Sequence, residues 1–188
     1  MNNDLFDLSG RTALITGAAG MLGQEHAIAL LESNANIVLT DISEENLKIA
    51  RNKLERKFPS KLIVHKKMDV TDIKSIKDTE KELSAKGISV NILINNAAID
   101  PKVQSEGKIL NSSNFEEFSQ LRWDLELAVG LKGAFQCSQI FGNKMVKNNL
   151  GGVILNISSD LSVIAPDQRI YQNKESNIRQ VKPVTYSV

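Results

Sequence analysis

Gly17, Gly20 and Gly23 recur every three residues in the stretch "TGAAGMLG", and Asp41 follows 24 residues after the first of them. Glycines so placed let a chain turn sharply, let backbone approach a pyrophosphate and let a helix pack close to a sheet. A helix opening at Met21 and Leu22 adds free N–H groups and the positive end of its dipole. Asp41 closes the apolar run "ANIVLTD". A carboxylate there accepts hydrogen bonds from the hydroxyls of an adenosine ribose. It would repel a 2′-phosphate, and neither Ile42 nor Ser43 supplies a compensating cation. The pattern therefore predicts a site for NAD in preference to NADP, with Gly17, Gly20, Met21, Leu22, Gly23 and Asp41 in contact with it.

A second chemical group lies in "KPVTYSV" at 182–188, where Pro183 suits the first turn of a helix that would carry Tyr186. Other reactive types offer less. Cys137 is the sole cysteine, in the apolar stretch "GAFQCSQIFG", which predicts a small core residue and excludes a disulfide framework. His26 and His65 have no metal-ligand spacing, so no metal site is expected.

The elements that must position these residues alternate. Apolar runs at 12–17, 35–41, 61–70, 90–97 and 152–158 predict five strands. Runs such as "ILI" and "VIL" are continuous rather than alternating, as in parallel strands covered on both faces. Between them Leu47, Ala50, Leu54 and Phe58 step by three or four behind a Ser43 N-cap, with Glu44 and Glu45 in the first turn. Ile73, Ile76 and Leu83 mark another helix that Gly87 ends, and a polar loop at 100–113 leads into a long helical region, 114–147. Strand–helix alternation of this kind predicts an α/β Rossmann-type doubly wound parallel sheet with helices on both faces. No repeat or linker interrupts the 188 residues, so one NAD-binding domain is expected.

Charge is balanced, 23 Lys and Arg against 22 Asp and Glu. That argues against a nucleic-acid or membrane footprint. The basic cluster "RNKLERK" is diluted by Glu and reads as a solvated helix face. No apolar run approaches transmembrane length, the N-terminus "MNNDLFDLSG" is unlike a signal peptide, and a cytoplasmic, reducing setting is expected.

In four motifs the chain resembles the short-chain dehydrogenase/reductase family. These are "DLSGRTALITGAAGMLG", "MDVTD", "ILINNAA" and "GGVILNISS", in that order. The resemblance implies that Asp69 and Val70 flank an adenine, that Asn96 and Ala97 line the cofactor, and that Asn95 ties neighbouring strands. It implies that Ser159 orients a substrate oxygen, with Ser158 a neighbour, and that a tyrosine exchanges a proton with that oxygen. A lysine one helical turn beyond the tyrosine would favour the phenolate, since an isolated tyrosine is only about 0.1% ionised at pH 7. The implied reaction is hydride transfer between nicotinamide and an alcohol or ketone.

Two tyrosines compete for that role. Tyr171 lies 12 residues after Ser159, but Glu175 follows at the helical spacing, and a carboxylate there disfavours a phenolate. Tyr186 lies 27 residues after Ser159, in the setting "PVTYSV" that resembles the family's pattern, and is preferred. Its lysine would be residue 190. The family resemblance therefore predicts that the fold is C-terminally incomplete in these 188 residues, which by themselves would show little dehydrogenase activity. Two departures matter. Gly130 stands where many members have Asn, and Met21 stands where the commonest branch has its second glycine. The polar stretch between Ser159 and Tyr186, with Arg169, Lys174, Arg179 and Lys182, is expected to shape the substrate pocket. It is similar to members from flagellin-modification and surface-polysaccharide pathways that act on sugar derivatives. The resemblance also implies a homodimer or homotetramer. A catalytically silent NAD-binding protein is the alternative expectation, motivated by Gly130 and the absent lysine.

Overall fold

The computed structural model describes residues 4–99, 114–149, 151–171 and 181–187. The expected loop at 100–113, and Lys174, Glu175 and Arg179, lie outside the described residues. Contacts divide the chain into two compact units, one formed by 1–97 and 129–157 and the other by 98–128 and 158–188.

The first unit holds five strands: β1 (Thr12–Ile15), β2 (Asn36–Asp41), β3 (Ile63–Lys67), β4 (Ile92–Asn95) and β5 (Val153–Asn156). All pair in parallel, in the order β3-β2-β1-β4-β5. The order reverses beside β1, whose Ile15 pairs with Leu39 on one side and Ile94 on the other. Open sheets bind ligands at such a switch point, outside the carboxyl ends of the strands.

Successive strand residues point to opposite faces, and in β1, β2 and β4 both faces are covered. Ala13, Ile15, Ile37, Leu39 and Ile94 pack with Ala27 and Leu31 of α1 (Met21–Glu32) and Leu47 and Leu54 of α2 (Glu44–Lys57). Leu14, Val38 and Leu93 pack on the other side with Ile76 and Leu83 of α3 (Ile73–Ala85). These two faces explain the continuous apolar runs. Ser43 caps α2 through its hydroxyl, which accepts the Asn46 N–H at 3.3 Å, and Arg56 and Lys57 oppose the dipole at the far end. Asp72 caps α3 by accepting the Lys74 N–H at 2.8 Å. Gly87, at φ +71, ends it with the left-handed residue that a helix terminus favours.

The region 114–147 differs from the single helical stretch the sequence predicts. A 3-10 turn at Phe115–Glu117 comes first, then α4 (Gln120–Leu127), a π turn at Ala128–Lys132 and α5 (Gly133–Lys147). Asn114, Phe118 and Ser119 hold extended backbone, and Asn and Ser compete with helix through local hydrogen bonds. Gly130 sits within the π turn, where an added Cβ would meet nothing within 4 Å. In the first unit, α5 joins the face of α3 through Cys137, Phe141 and Met145.

The second unit is built, among the described residues, from α4 and four 3-10 turns: Phe115–Glu117, Asp160–Ser162, Gln168–Tyr171 and Val184–Ser187. The stretch expected to start a helix at Tyr186 is the last of these turns, closed by the Tyr186 N–H on the Pro183 carbonyl at 3.1 Å.

Candidate cofactor cradle and tyrosine turn

The turn between β1 and α1 is close-packed backbone. Gly17 has φ +62, and a Cβ there would stand 2.9 Å from the Ala97 Cα. At Gly23 a Cβ would stand 2.5 Å from the Gly17 carbonyl oxygen. Neither position admits a side chain. Gly20 is looser, its nearest contact 3.3 Å away, and it serves as the N-cap of α1 with no side chain closing the helix end. The first-turn N–H groups at Met21, Leu22 and Gly23 are therefore presented without a capping oxygen or an acidic neighbour in that turn. Met21 is 79% exposed and Leu22 also faces solvent, beside these N–H groups.

Asp41 ends β2 and reaches back to this turn. Its Oδ2 accepts the Ala19 N–H at 3.2 Å and its Oδ1 accepts the Ser43 N–H at 3.0 Å. Each oxygen keeps a lone pair for a further donor. Asn96 binds the turn from the β4 side: its Nδ2 donates to the carbonyls of Thr16 at 2.9 Å and Gly17 at 3.2 Å.

The residue that sequence reasoning missed is Thr16. Its hydroxyl oxygen accepts the N–H of both Asn96 and Ala97 at 3.0 Å, and its side chain is buried. A threonine ending an apolar strand carries no signal of that role, because the partners lie 80 residues away. Asp69 uses Oδ1 on the N–H and hydroxyl of Thr71, at 2.8 and 2.7 Å, which makes the turn after β3, and Val70 is buried beside it. Asn95 donates to Asn156 at 2.8 Å and to Ser138 at 3.0 Å, tying β4 to β5 and to α5. The first unit thus gathers Gly17, Gly20, Met21, Leu22, Gly23, Asp41, Asn96 and Ala97 around one turn, with Asp69 and Val70 just past the end of β3.

In the second unit Ser159 is half-buried and Ser158 exposed. The Ser159 hydroxyl donates to Asp160 at 3.1 Å and accepts the Leu161 N–H at 3.2 Å, capping the Asp160–Ser162 turn. That turn packs against the Val184–Ser187 turn, so Ser159 and Tyr186 are carried by neighbouring pieces of chain. Tyr171 ends a different turn. The Tyr186 ring lies under the Lys182 ammonium, 3.7 Å from its centroid. Gln168 grips the Lys182 backbone from both sides, accepting its N–H at 2.8 Å and donating to its carbonyl at 3.4 Å. Thr185 donates its hydroxyl to Glu126 on α4. A cavity of about 310 Å³ opens beside this turn, lined in part by Phe115, Pro166, Lys182 and Val184.

Cys137 is fully buried, and burial pushes its thiol up to about 12. Among the described residues no three His, Cys, Asp or Glu cluster in a way that could hold a metal, and no helix is long and apolar enough to cross a membrane.

A parallel sheet in this order, with a glycine turn and an acidic strand end at its switch point, defines a dinucleotide-binding α/β protein. Comparison narrows the class. The model of the short chain dehydrogenase family matches residues 11–171, and the chain belongs to that family. It is 34% identical over 160 residues to a short chain dehydrogenase/reductase of Gibberella zeae, covering 85% of this chain and 55% of that one. It is 29% identical over 165 residues to an NAD-dependent glycerol dehydrogenase of Listeria innocua, covering 88% of this chain and 59% of the other. Among solved structures, a short-chain alcohol dehydrogenase of Sinorhizobium meliloti superposes with a TM-score of 0.75 at 30% identity, over 97% of this chain and 62% of that one. The 188 residues thus span a little over half the length of these relatives.

Proposed function

We propose that the chain is the cofactor-binding portion of an NAD-dependent oxidoreductase that moves hydride between nicotinamide and an alcohol or ketone. Asp41 carries the reading: its carboxylate closes β2 beside an uncapped α1 N-terminus and is tied to the glycine turn through Ala19. That arrangement fits a pyrophosphate against the N–H groups and a ribose against the carboxylate. Bound nicotinamide supplies the hydride chemistry. Gly17, Gly20, Met21, Leu22 and Gly23 hold the phosphates, Asp41 the ribose, Asp69 and Val70 the adenine, and Asn96 and Ala97 the remaining edge. Ser159 orients the substrate oxygen and Tyr186 exchanges the proton with it.

The substrate is a small hydroxylated molecule. The glycerol dehydrogenase of Listeria innocua supports a polyol or sugar derivative. A role in flagellin or surface-glycan modification is the narrowest form of this proposal and rests on the polar stretch before Tyr186 alone. Phe135 and Val146 are exposed and lie three turns apart on one face of α5, which supports self-association as a dimer or tetramer. The reduced, buried Cys137 suits a cytoplasmic setting.

A second reading, a silent NAD-binding protein, is favoured by the absence of a side chain at Gly130, where the family pattern has Asn. Two measurements separate the readings. Calorimetric titration should give saturable NAD binding, tighter than NADP; no binding of either defeats both readings. A screen of polyols and sugar derivatives against the full-length protein should give NAD-linked turnover that Tyr186→Phe abolishes. Turnover by neither protein favours the silent binder, and turnover undiminished in Tyr186→Phe removes Tyr186 from the reaction.

A further inference from the structure

Glu126 is a carboxylate almost wholly removed from water, at 8% exposure, on the helix that faces the tyrosine turn within the second unit. A buried charge needs partners, and this one has them on both oxygens. Oε1 accepts from the Arg122 guanidinium one turn earlier on α4, from Nε at 3.2 Å and Nη2 at 2.9 Å. The guanidinium in turn stacks over Phe118, 4.9 Å from the ring centroid. Oε2 accepts the hydroxyl of Thr185. The arginine pairs with the carboxylate on one oxygen, and the other oxygen is the acceptor for the residue next to Tyr186.

The other side of the turn is fixed separately. Gln168 pairs with both polar groups of the Lys182 backbone, and Val181 and Pro183 are buried. The chain leading to Tyr186 is therefore held at two anchors, the backbone of Lys182 and the side chain of Thr185. Only the second is made by an α-helix, while the Lys182 ammonium meets the Tyr186 ring itself.

We propose that Glu126 is a positioning residue that holds the Tyr186 turn through Thr185. It rests on the reading of Tyr186 as the proton-transfer group, since the order of this turn matters to the reaction only if that phenol reacts. Glu126 touches neither substrate nor cofactor in this role. Its work is to remove the freedom of a short 3-10 turn that makes few hydrogen bonds of its own, so that the phenol is presented in one orientation.

The test measures the turn directly, without a substrate. Tyrosine nitration of the folded 188-residue chain is followed by peptide mass spectrometry, with Tyr171 as the internal control. Thr185→Val removes the hydroxyl and keeps the shape, Thr185→Ser keeps the hydroxyl, and Glu126→Gln keeps the size and loses the charge. Tyr186 is already 37% exposed, so Thr185→Val is expected to raise its nitration rate by about twofold to threefold, as loss of the bond frees the covered part of the ring. Thr185→Ser should stay near the wild-type rate, Glu126→Gln should fall between, and Tyr171 should be unchanged in all three. A wild-type rate at Tyr186 in Thr185→Val overturns the proposal, as does an equal rise at Tyr171, which would signal general loosening. If Glu126→Gln does not fold, the Val and Ser pair at position 185 decides the matter alone. Failure of the catalytic reading shows elsewhere, as turnover that survives Tyr186→Phe.

Discussion

At Asp41 one carboxylate accepts two backbone N–H bonds and, in the proposed function, the ribose of the cofactor as well. Asp41→Asn keeps one acceptor oxygen and removes the charge. It should weaken NAD binding about tenfold, the scale of one charge-assisted hydrogen bond, while NADP, relieved of repulsion at its 2′-phosphate, binds no more weakly than before. The register places Lys67 of β3 opposite Asp41, so a cation is already at hand for a 2′-phosphate once the carboxylate is gone. Calorimetry with both cofactors reads the change, and an unaltered NAD to NADP ratio counts against ribose recognition by Asp41. The glycines rank by contact. Gly23→Ala drives a Cβ to 2.5 Å from a carbonyl oxygen and should cost about 1–3 kcal/mol in urea unfolding, as overpacking does. Gly20→Ala, with its nearest atom at 3.3 Å and an ordinary φ of −71, should cost distinctly less. Cys137 gives a pH prediction. Its thiol ionises at 9.0 when exposed and is pushed up to about 12 by burial, so only the unfolded chain gains the thiolate between those values. The fold should lose stability as pH rises from 9 toward 12, and Cys137→Ala should flatten that part of the profile. Alkylation at pH 8 should proceed only at the rate of unfolding.

Among the elements, the hydroxyl of Thr16 is what joins β1, β4 and the glycine turn. Thr16→Val leaves the N–H groups of Asn96 and Ala97 without their acceptor and should cost about 1–3 kcal/mol, whereas Thr16→Ser should cost much less. Urea midpoints check the pair. Strands β1, β2 and β4 are legible as apolar runs because a parallel strand buries both faces, and β5 is legible by the same residue types although it is exposed. The Ser43 cap and the Gly87 stop are legible because their chemistry is local. Thr16 and Glu126 are not legible, because their partners come from distant chain. Nothing in "DLELAVG" separates a buried carboxylate from an ordinary solvated one, and only Arg122 four residues earlier hints at it. The break at Ala128–Lys132 hides for a different reason. The apolar spacing around it still reads as helix, and a π turn changes the register without changing the residue types.

For the whole molecule the exposed surface of β5 decides how the 188 residues behave in solution. This strand has β4 on one side and, among the described residues, no strand on the other. Central parallel strands are covered on both faces, yet Val153 is 61% exposed and Leu155 47%, and both point to the same face. Gly142 lets α5 approach Ile154 on the opposite face, to 3.2 Å from where a Cβ would stand, and even Ile154 is 39% exposed. An apolar strand with an open edge is a template for pairing with another chain. Charge gives little protection, since the net value is +1. The polypeptide should therefore self-associate as its concentration rises and should bind an apolar dye at low concentration. Val153→Lys places a charge on the open strand and should reduce both, while leaving NAD binding at the carboxyl ends of β1 and β2 unchanged. Sedimentation velocity across a concentration series reads the first effect and dye fluorescence the second. A wild-type chain that stays monomeric across the series, or a Val153→Lys variant that associates just as strongly, would show that β5 is not the surface responsible.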